Sequence, residues 1–136
     1  MRKMLSSKIH RATVTHADVD YEGSITLPPQ LLEAARLVPY QAVSIWNVTN
    51  GHRFETYTIR GTTAHEIAIN GAAAHLAGPG DIIIISAFSY LPEEAVQRHA
   101  PQLVFVNADN QVSEIRAELP GPQRHPSTTV ANGQSG

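Results

Sequence analysis

The chain has no cysteine among its 136 residues, which excludes disulfide scaffolds, thiolate metal centres and cysteine nucleophiles together. It has no long apolar run either. The longest, Ile82 to Ile85 with its neighbours, falls far short of the roughly 20 residues that span a bilayer as a helix. The N-terminus, Met1-Arg2-Lys3-Met4-Leu5-Ser6-Ser7-Lys8, lacks the apolar segment of a secretory signal. A cytoplasmic protein with no membrane partner is expected. Basic charge is sparse: ten Lys and Arg against twelve Asp and Glu leave a net charge of −2. No basic run exceeds Arg2-Lys3, so no nucleic-acid partner is expected. What is present, 42% hydrophobic and 16% charged residues, suits a globular protein with one core at this length. A single domain over residues 1–119 is expected. Residues 120–136 turn to Pro, Gly, Ser, Thr and Gln, a composition that predicts a disordered tail.

Short β-rich runs dominate the rest. Residues 8–15 are rich in β-branched side chains, and residues 42–48 lead into Asn50-Gly51, a two-residue hairpin signal. Residues 53–59 return from that turn, pairing the Trp46 strand with the Thr56-Tyr57 strand. Residues 81–88 form a continuous apolar run after Gly78-Pro79-Gly80, the pattern of a strand buried on both faces. Residues 103–106, a turn at Asp109-Asn110, and residues 112–119 complete the strands. Helices are few. One is predicted over residues 28–38, with Pro28-Pro29 at its start and Leu31, Leu32, Ala35 and Val38 as its apolar stripe. Another opens at Pro92-Glu93-Glu94 and carries Arg98-His99 in its last turn. Many short strands at close spacing argue for a small β-barrel.

Tyr21-Glu22-Gly23-Ser24 reads, by itself, as a turn. The alternative is chemical: Gly23 offers an unhindered carbonyl beside a hydroxyl nucleophile, and a strained backbone would let Ser24 Oγ attack it. Context decides between the two. The ordered blocks are Lys8-Ile9-His10-Arg11-Ala12, Val14-Thr15-His16-Ala17-Asp18, Tyr21-Glu22-Gly23-Ser24, Ile45-Trp46-Asn47-Val48-Thr49-Asn50-Gly51, Arg53-Phe54, Thr56-Tyr57, Asn70-Gly71-Ala72-Ala73-Ala74-His75 and Gly80-Asp81. In that order they resemble the pyruvoyl-dependent aspartate 1-decarboxylases.

The resemblance implies a double-psi β-barrel that assembles as a homotetramer with sites at subunit interfaces. It implies an inactive proenzyme cut between Gly23 and Ser24 into residues 1–23 and 24–136. An amide-to-ester shift and β-elimination would leave dehydroalanine, which hydrolyses to a pyruvoyl group. That group condenses with the amine of L-aspartate as a Schiff base and accepts the electrons released as CO2 leaves. The product would be β-alanine for pantothenate, and so coenzyme A, synthesis; no pyridoxal phosphate and no metal are implied. Tyr57 matches the family's proton donor, a phenol protonated at neutral pH. Arg53 matches a carboxylate clamp, with Lys8 as a second cation. Thr56 matches a residue of the cleavage step and of substrate contact, although strand alternation opposes it to Tyr57 unless the strand is bulged. Backbone amides of Gly71, Ala72 and Ala73 are implied at a substrate carboxylate, with Asn70 assisting the reacting centre. His10 and Trp46 are supporting residues. Whether maturation is spontaneous or needs a helper protein stays open.

His10, His16 and His75 lack the spacing of a metal site, so none is expected. Two other readings compete. A non-catalytic ligand-binding barrel would have no reason to keep Gly23-Ser24, Arg53 and Tyr57 together. A pyruvoyl enzyme for a neutral or cationic amino acid would leave Arg53 and Lys8 unpaired.

Overall fold

The computed structural model describes residues 1–118. The expected tail, residues 120–136, and the last residue of the expected domain lie outside the described residues. The molecule is mainly β. Its strands are β1 (Arg2–Thr13), β2 (His16–Asp18), β3 (Ser24–Leu27), β4 (Ala42–Asn47), β5 (Arg53–Arg60), β6 (Ala68–Asn70), β7 (Ile82–Leu91), β8 (Gln102–Val106) and β9 (Val112–Ala117). Two short helices, α1 (Pro29–Ala34) and α2 (Glu93–Val96), and a 3-10 helix, Gly71–His75, complete it. The strands form one nine-stranded sheet in the order β2-β6-β3-β5-β4-β7-β1-β8-β9. It is barrel-like but open, because β2 and β9 end the order without pairing to each other.

One face of the central strands makes the core. Ile9, Ile45, Ile83 and Ile85 are wholly or almost wholly buried, joined from the other end of the sheet by Ile25, Leu27, Ile67 and Ile69. These β-branched and branched side chains stack from strand to strand, each burying apolar area worth about 1.5–3 kcal/mol. The other face of the same strands carries, in register, Glu55 of β5, Ser44 of β4, Ser86 of β7 and Lys8 of β1. A bulge in β1 between Ile9 and Ala12 puts Arg11 at φ 64°.

Local details depart from the sequence expectation in four places. The hairpin after β4 is a five-residue connection, residues 48–52, not a two-residue turn. Asn47 causes this: its Oδ1 accepts the N–H groups of Thr49 (2.9 Å) and Asn50 (3.3 Å), drawing the chain into an Asx turn, and only Gly51 takes positive φ there. The first helix stops at Ala34, not at Val38. Arg36 at φ 59° takes the left-handed position, and the N–H of Leu37 reaches the carbonyl of Leu32 at 2.8 Å, a Schellman ending that buries Leu37 and leaves Val38 exposed. The second helix spans only four residues, so Arg98 and His99 lie beyond it, His99 Nε2 contacting the Leu5 carbonyl at 2.6 Å. β7 is buried on both faces only at its centre: Ile83, Ile85 and Ala87 are in the core and Ser86 is buried on the opposite face, while Ile82 and Ile84 are half-covered. Strands β2, β3 and β6, at most four residues each, carried no periodic signal to announce them.

Candidate active site

Ser24 opens β3. It pairs with Asn70 on β6, and Ile25 beside it pairs with both Ile69 of β6 and Thr58 of β5. The register brings three short segments, far apart in sequence, to one spot. Ser24 is almost fully buried, 1% exposed. Its Oγ accepts a hydrogen bond from Asn70 Nδ2 at 2.9 Å, and the same amide donates to Thr26 Oγ1 at 3.1 Å. Ser24 also sits at φ 155°, a backbone region populated almost only by glycine. Gly23 before it is exposed. A buried hydroxyl on strained backbone thus follows directly on an unhindered peptide carbonyl.

The loop before Ser24 and the end of β5 enclose a cavity of about 470 Å³ lined by Tyr21, Glu22, Gly23, Ser24, Pro39, Tyr40, Tyr57, Ile59 and Arg60. Tyr57 projects into it and is 38% exposed, so its phenol is reachable from solvent. Tyr40, at φ 73°, is pinned by its N–H to the Thr58 carbonyl at 2.7 Å. Behind Asn70 lies a second hollow of about 370 Å³, which Asn70, Tyr21 and Thr26 share with His16, Asp18 and Glu66.

The remaining residues singled out in the sequence fall in three groups. Gly71, Ala72 and Ala73 follow Asn70, the strand partner of Ser24, in the 3-10 helix, with Gly71 buried and at φ 75°. Thr56 does not share the cavity. The β4–β5 ladder runs without a register shift from Ala42↔Tyr57 to Trp46↔Arg53, so Thr56 points to the opposite face from Tyr57. Arg53, Trp46, Lys8 and His10 lie farther off. The Arg53 guanidinium stacks over the Trp46 ring at 4.6 Å, four residues or about 13 Å along the strand from Tyr57. Lys8 Nζ approaches Glu118 Oε1 at 3.8 Å. The His10 ring meets Phe105 edge-on at 5.4 Å and lines a different cavity, with Arg11 and Glu114. Within one chain, then, Ser24, Asn70, Tyr57 and Gly71 come together, and the two cations do not join them.

The sequence reading missed Tyr40, Pro39 and Arg60 as cavity walls. Ile59 was recoverable, since it lies two residues from Tyr57 on the same strand face; Pro39 and Tyr40 come from a loop whose course no motif signals. Among the described residues, no three His, Asp or Glu side chains cluster as a metal site would need, and no helix is long and apolar enough to cross a membrane. One carboxyl shows a marked shift: Asp81 is held below the usual aspartate range by the Gly78 N–H, then by the Asn47 amide.

Comparison with known proteins is direct. The family model for aspartate decarboxylase matches residues 1–113. The aspartate 1-decarboxylase of Legionella pneumophila (strain Lens) is 56% identical over 121 residues, covering 88% of this chain and 91% of the relative. That of Rhodopirellula baltica is 52% identical over 122 residues, covering 89% and 78%. That of Myxococcus xanthus is 50% identical over 127 residues, covering 91% and 98%.

Proposed function

This chain belongs to the aspartate decarboxylase family, and from that we propose that it converts L-aspartate to β-alanine and CO2 with a pyruvoyl group made from its own Ser24. Decarboxylation of aspartate is the activity the family carries and this chain carries with it. The pyruvoyl group goes beyond that activity, and one observation supports it: the buried, Asn70-bound hydroxyl of Ser24 at φ 155°, next to the exposed Gly23.

In the self-cleavage read from that geometry, Ser24 Oγ adds to the Gly23 carbonyl carbon. The carbon–nitrogen bond breaks, the hydroxyl proton passes to the released amine, and an ester replaces the amide. The Asn70 amide donates to the oxygen as it gives up its proton, and leaving φ 155° relieves strain. A pyruvoyl group at this position would supply a carbonyl for the substrate amine and a sink for the electron pair left when CO2 departs. The residues around Ser24 fit it: a buried position, an amide donor, and an open cavity in front.

The chain's own groups then have distinct tasks. Tyr57 Oη holds the proton that goes back to the carbon that lost CO2. The backbone of Gly71 to Ala73, which follows directly on Ser24's strand partner Asn70, receives a substrate carboxylate. Arg53 and Lys8 hold carboxylates from a neighbouring copy, in a homotetramer whose sites are shared between subunits. The β-alanine would supply pantothenate synthesis in the cytoplasm.

Denaturing mass spectrometry of the purified protein tests the reading. Two fragments are expected, residues 1–23 and a larger one blocked at its N-terminus by the pyruvoyl group. Ser24→Ala should give one intact chain and no β-alanine; activity surviving in that variant would refute the assignment.

A further inference from the structure

The loop that carries the scissile bond is held in place by an absence. Its own hydrogen bonds, from the N–H of Asp20 to Asp18 Oδ1 (3.0 Å) and from the N–H of Tyr21 to the Asp18 carbonyl (3.4 Å), both lie before Glu22. Beyond that point the loop rests on Gly71. A Cβ on Gly71 would stand 2.7 Å from Gly23 Cα, 2.9 Å from Gly23 N and 3.1 Å from the Tyr21 carbonyl oxygen. All three are backbone atoms, so no side-chain rotation relieves the overlap. Gly23 itself has open space where its own Cβ would go. The restriction therefore lies with Gly71 and not with the residue that is cut.

Ser24 is fixed independently of this contact. It is paired to Asn70 on β6 and held through Oγ by the Asn70 amide. Asn70 and Gly71 are consecutive, so one short segment grips the nucleophile with one residue and seats the electrophile with the next. We propose that Gly71 is a positioning residue for self-cleavage: its bare backbone is the seat that sets the Gly23 carbonyl against the Ser24 hydroxyl. A side chain there lifts residues 21–23 off the seat while Asn70 keeps the hydroxyl where it was. The proposal rests on the self-cleavage reading above and adds a role that precedes any substrate contact.

The test compares cleavage time courses, by denaturing mass spectrometry, of the wild-type chain, Gly71→Asn, Gly71→Ala and Val104→Ala. Asparagine tolerates the left-handed backbone that Gly71 adopts but carries the obstructing Cβ, so it separates collision from backbone strain. Val104 is a core residue on β8, five strands from β3, and its truncation lowers stability without touching the loop. Folded Gly71→Asn and Gly71→Ala, with wild-type circular dichroism and melting well above the assay temperature, should cut at least about a hundredfold more slowly, the cost of a displacement near 1 Å. Val104→Ala should melt earlier and cut at the wild-type rate. If neither Gly71 variant folds, a glycine inserted after Glu22 gives the loop slack to clear the Cβ. The proposal then requires the inserted variant to fold and stay whole, and it is overturned if the insertion restores nothing. A wild-type chain that is cut beside a folded Gly71→Asn cut equally fast overturns the seat alone. A wild-type chain that never cuts removes the self-cleavage reading, and the seat with it.

Discussion

Ser24 combines two features that each carry a cost. A residue with a side chain at φ 155° stores strain of about 1–3 kcal/mol, and a buried hydroxyl left without a partner would cost a similar amount. Asn70 offsets the second cost and leaves the first in place. In the proposed self-cleavage that strain is available to the reaction, and the hydrogen bond orients the attacking oxygen. Asn70→Ala is expected to slow self-cleavage by about tenfold or more, since loss of a donor to an oxygen acquiring charge costs at least about 1.4 kcal/mol; unchanged cleavage in a folded variant would remove Asn70 from the step. In the proposed function Tyr57 belongs to the later chemistry. Its ring lines the cavity, whereas Ser24 Oγ is held by Asn70, so Tyr57→Phe should mature normally and then turn over roughly 10²-fold more slowly, the usual loss of a general acid. Fragment analysis and β-alanine assay of the same sample separate the two effects. Equal turnover would take the proton from Tyr57. Neither pairing was readable from spacing alone: Ser24 and Asn70 are 46 positions apart, and only strand register joins them.

At the scale of elements, alternation along β5 sorts the site. Arg53, Glu55 and Tyr57 face one way, Phe54, Thr56 and Thr58 the other, and Thr58 is fully buried. That sorting was legible in the sequence, as were the mainly β architecture and the longer strands, because period-two patterns and β-branched runs report local physics. The three-residue strands β2 and β6 were not, since their pairing is decided by distant partners. Nor was the width of the β4–β5 connection, which one side chain sets. Asn47 Nδ2 donates to Asp81 Oδ2 at 2.9 Å and to the Leu76 carbonyl at 3.0 Å, tying that connection to the start of β7 and to the exit of the 3-10 helix beside Ser24. The Gly78 N–H and this amide both favour the charged carboxylate and lower the Asp81 pKa from its ordinary 3.8. A lowered folded-state pKa means stability that is present above the unfolded value and lost as pH falls through the folded one. The melting temperature of the wild type should therefore drop on acidification below about pH 4 by more than that of Asp81→Asn, whose amide does not titrate. Parallel curves for the two proteins from pH 6 to pH 3 would exclude this link as a source of acid sensitivity.

The whole molecule poses a question of reach. Ser24 on β3 and Lys8 on β1 are separated by β5, β4 and β7, four strand steps, or about 19 Å measured along the curved sheet at the usual spacing. L-aspartate is far shorter than that. Lys8 does share a sheet face with Ser44, Ser86 and Glu55, and within its own chain its half-buried ammonium is met at 3.8 Å by the exposed Glu118, a contact of little strength. In the shared-site proposal, Lys8 serves a substrate bound at the Ser24 of another copy. Mixed oligomers give the measurement. Lys8→Glu keeps Ser24 and Tyr57 but reverses the charge offered across the proposed interface, and Ser24→Ala keeps Lys8 but cannot form the proposed pyruvoyl group. Each homo-oligomer should be inactive or nearly so, whereas co-expressed chains should regain β-alanine formation, because some interfaces then pair a matured Ser24 with an intact Lys8. Native mass spectrometry must find the mixed species, with four copies expected in each. Mixed tetramers that form and stay inactive would return Lys8 to its own chain's surface and leave the clamp to Arg53, which the same co-expression with Arg53→Ala in place of Lys8→Glu then examines.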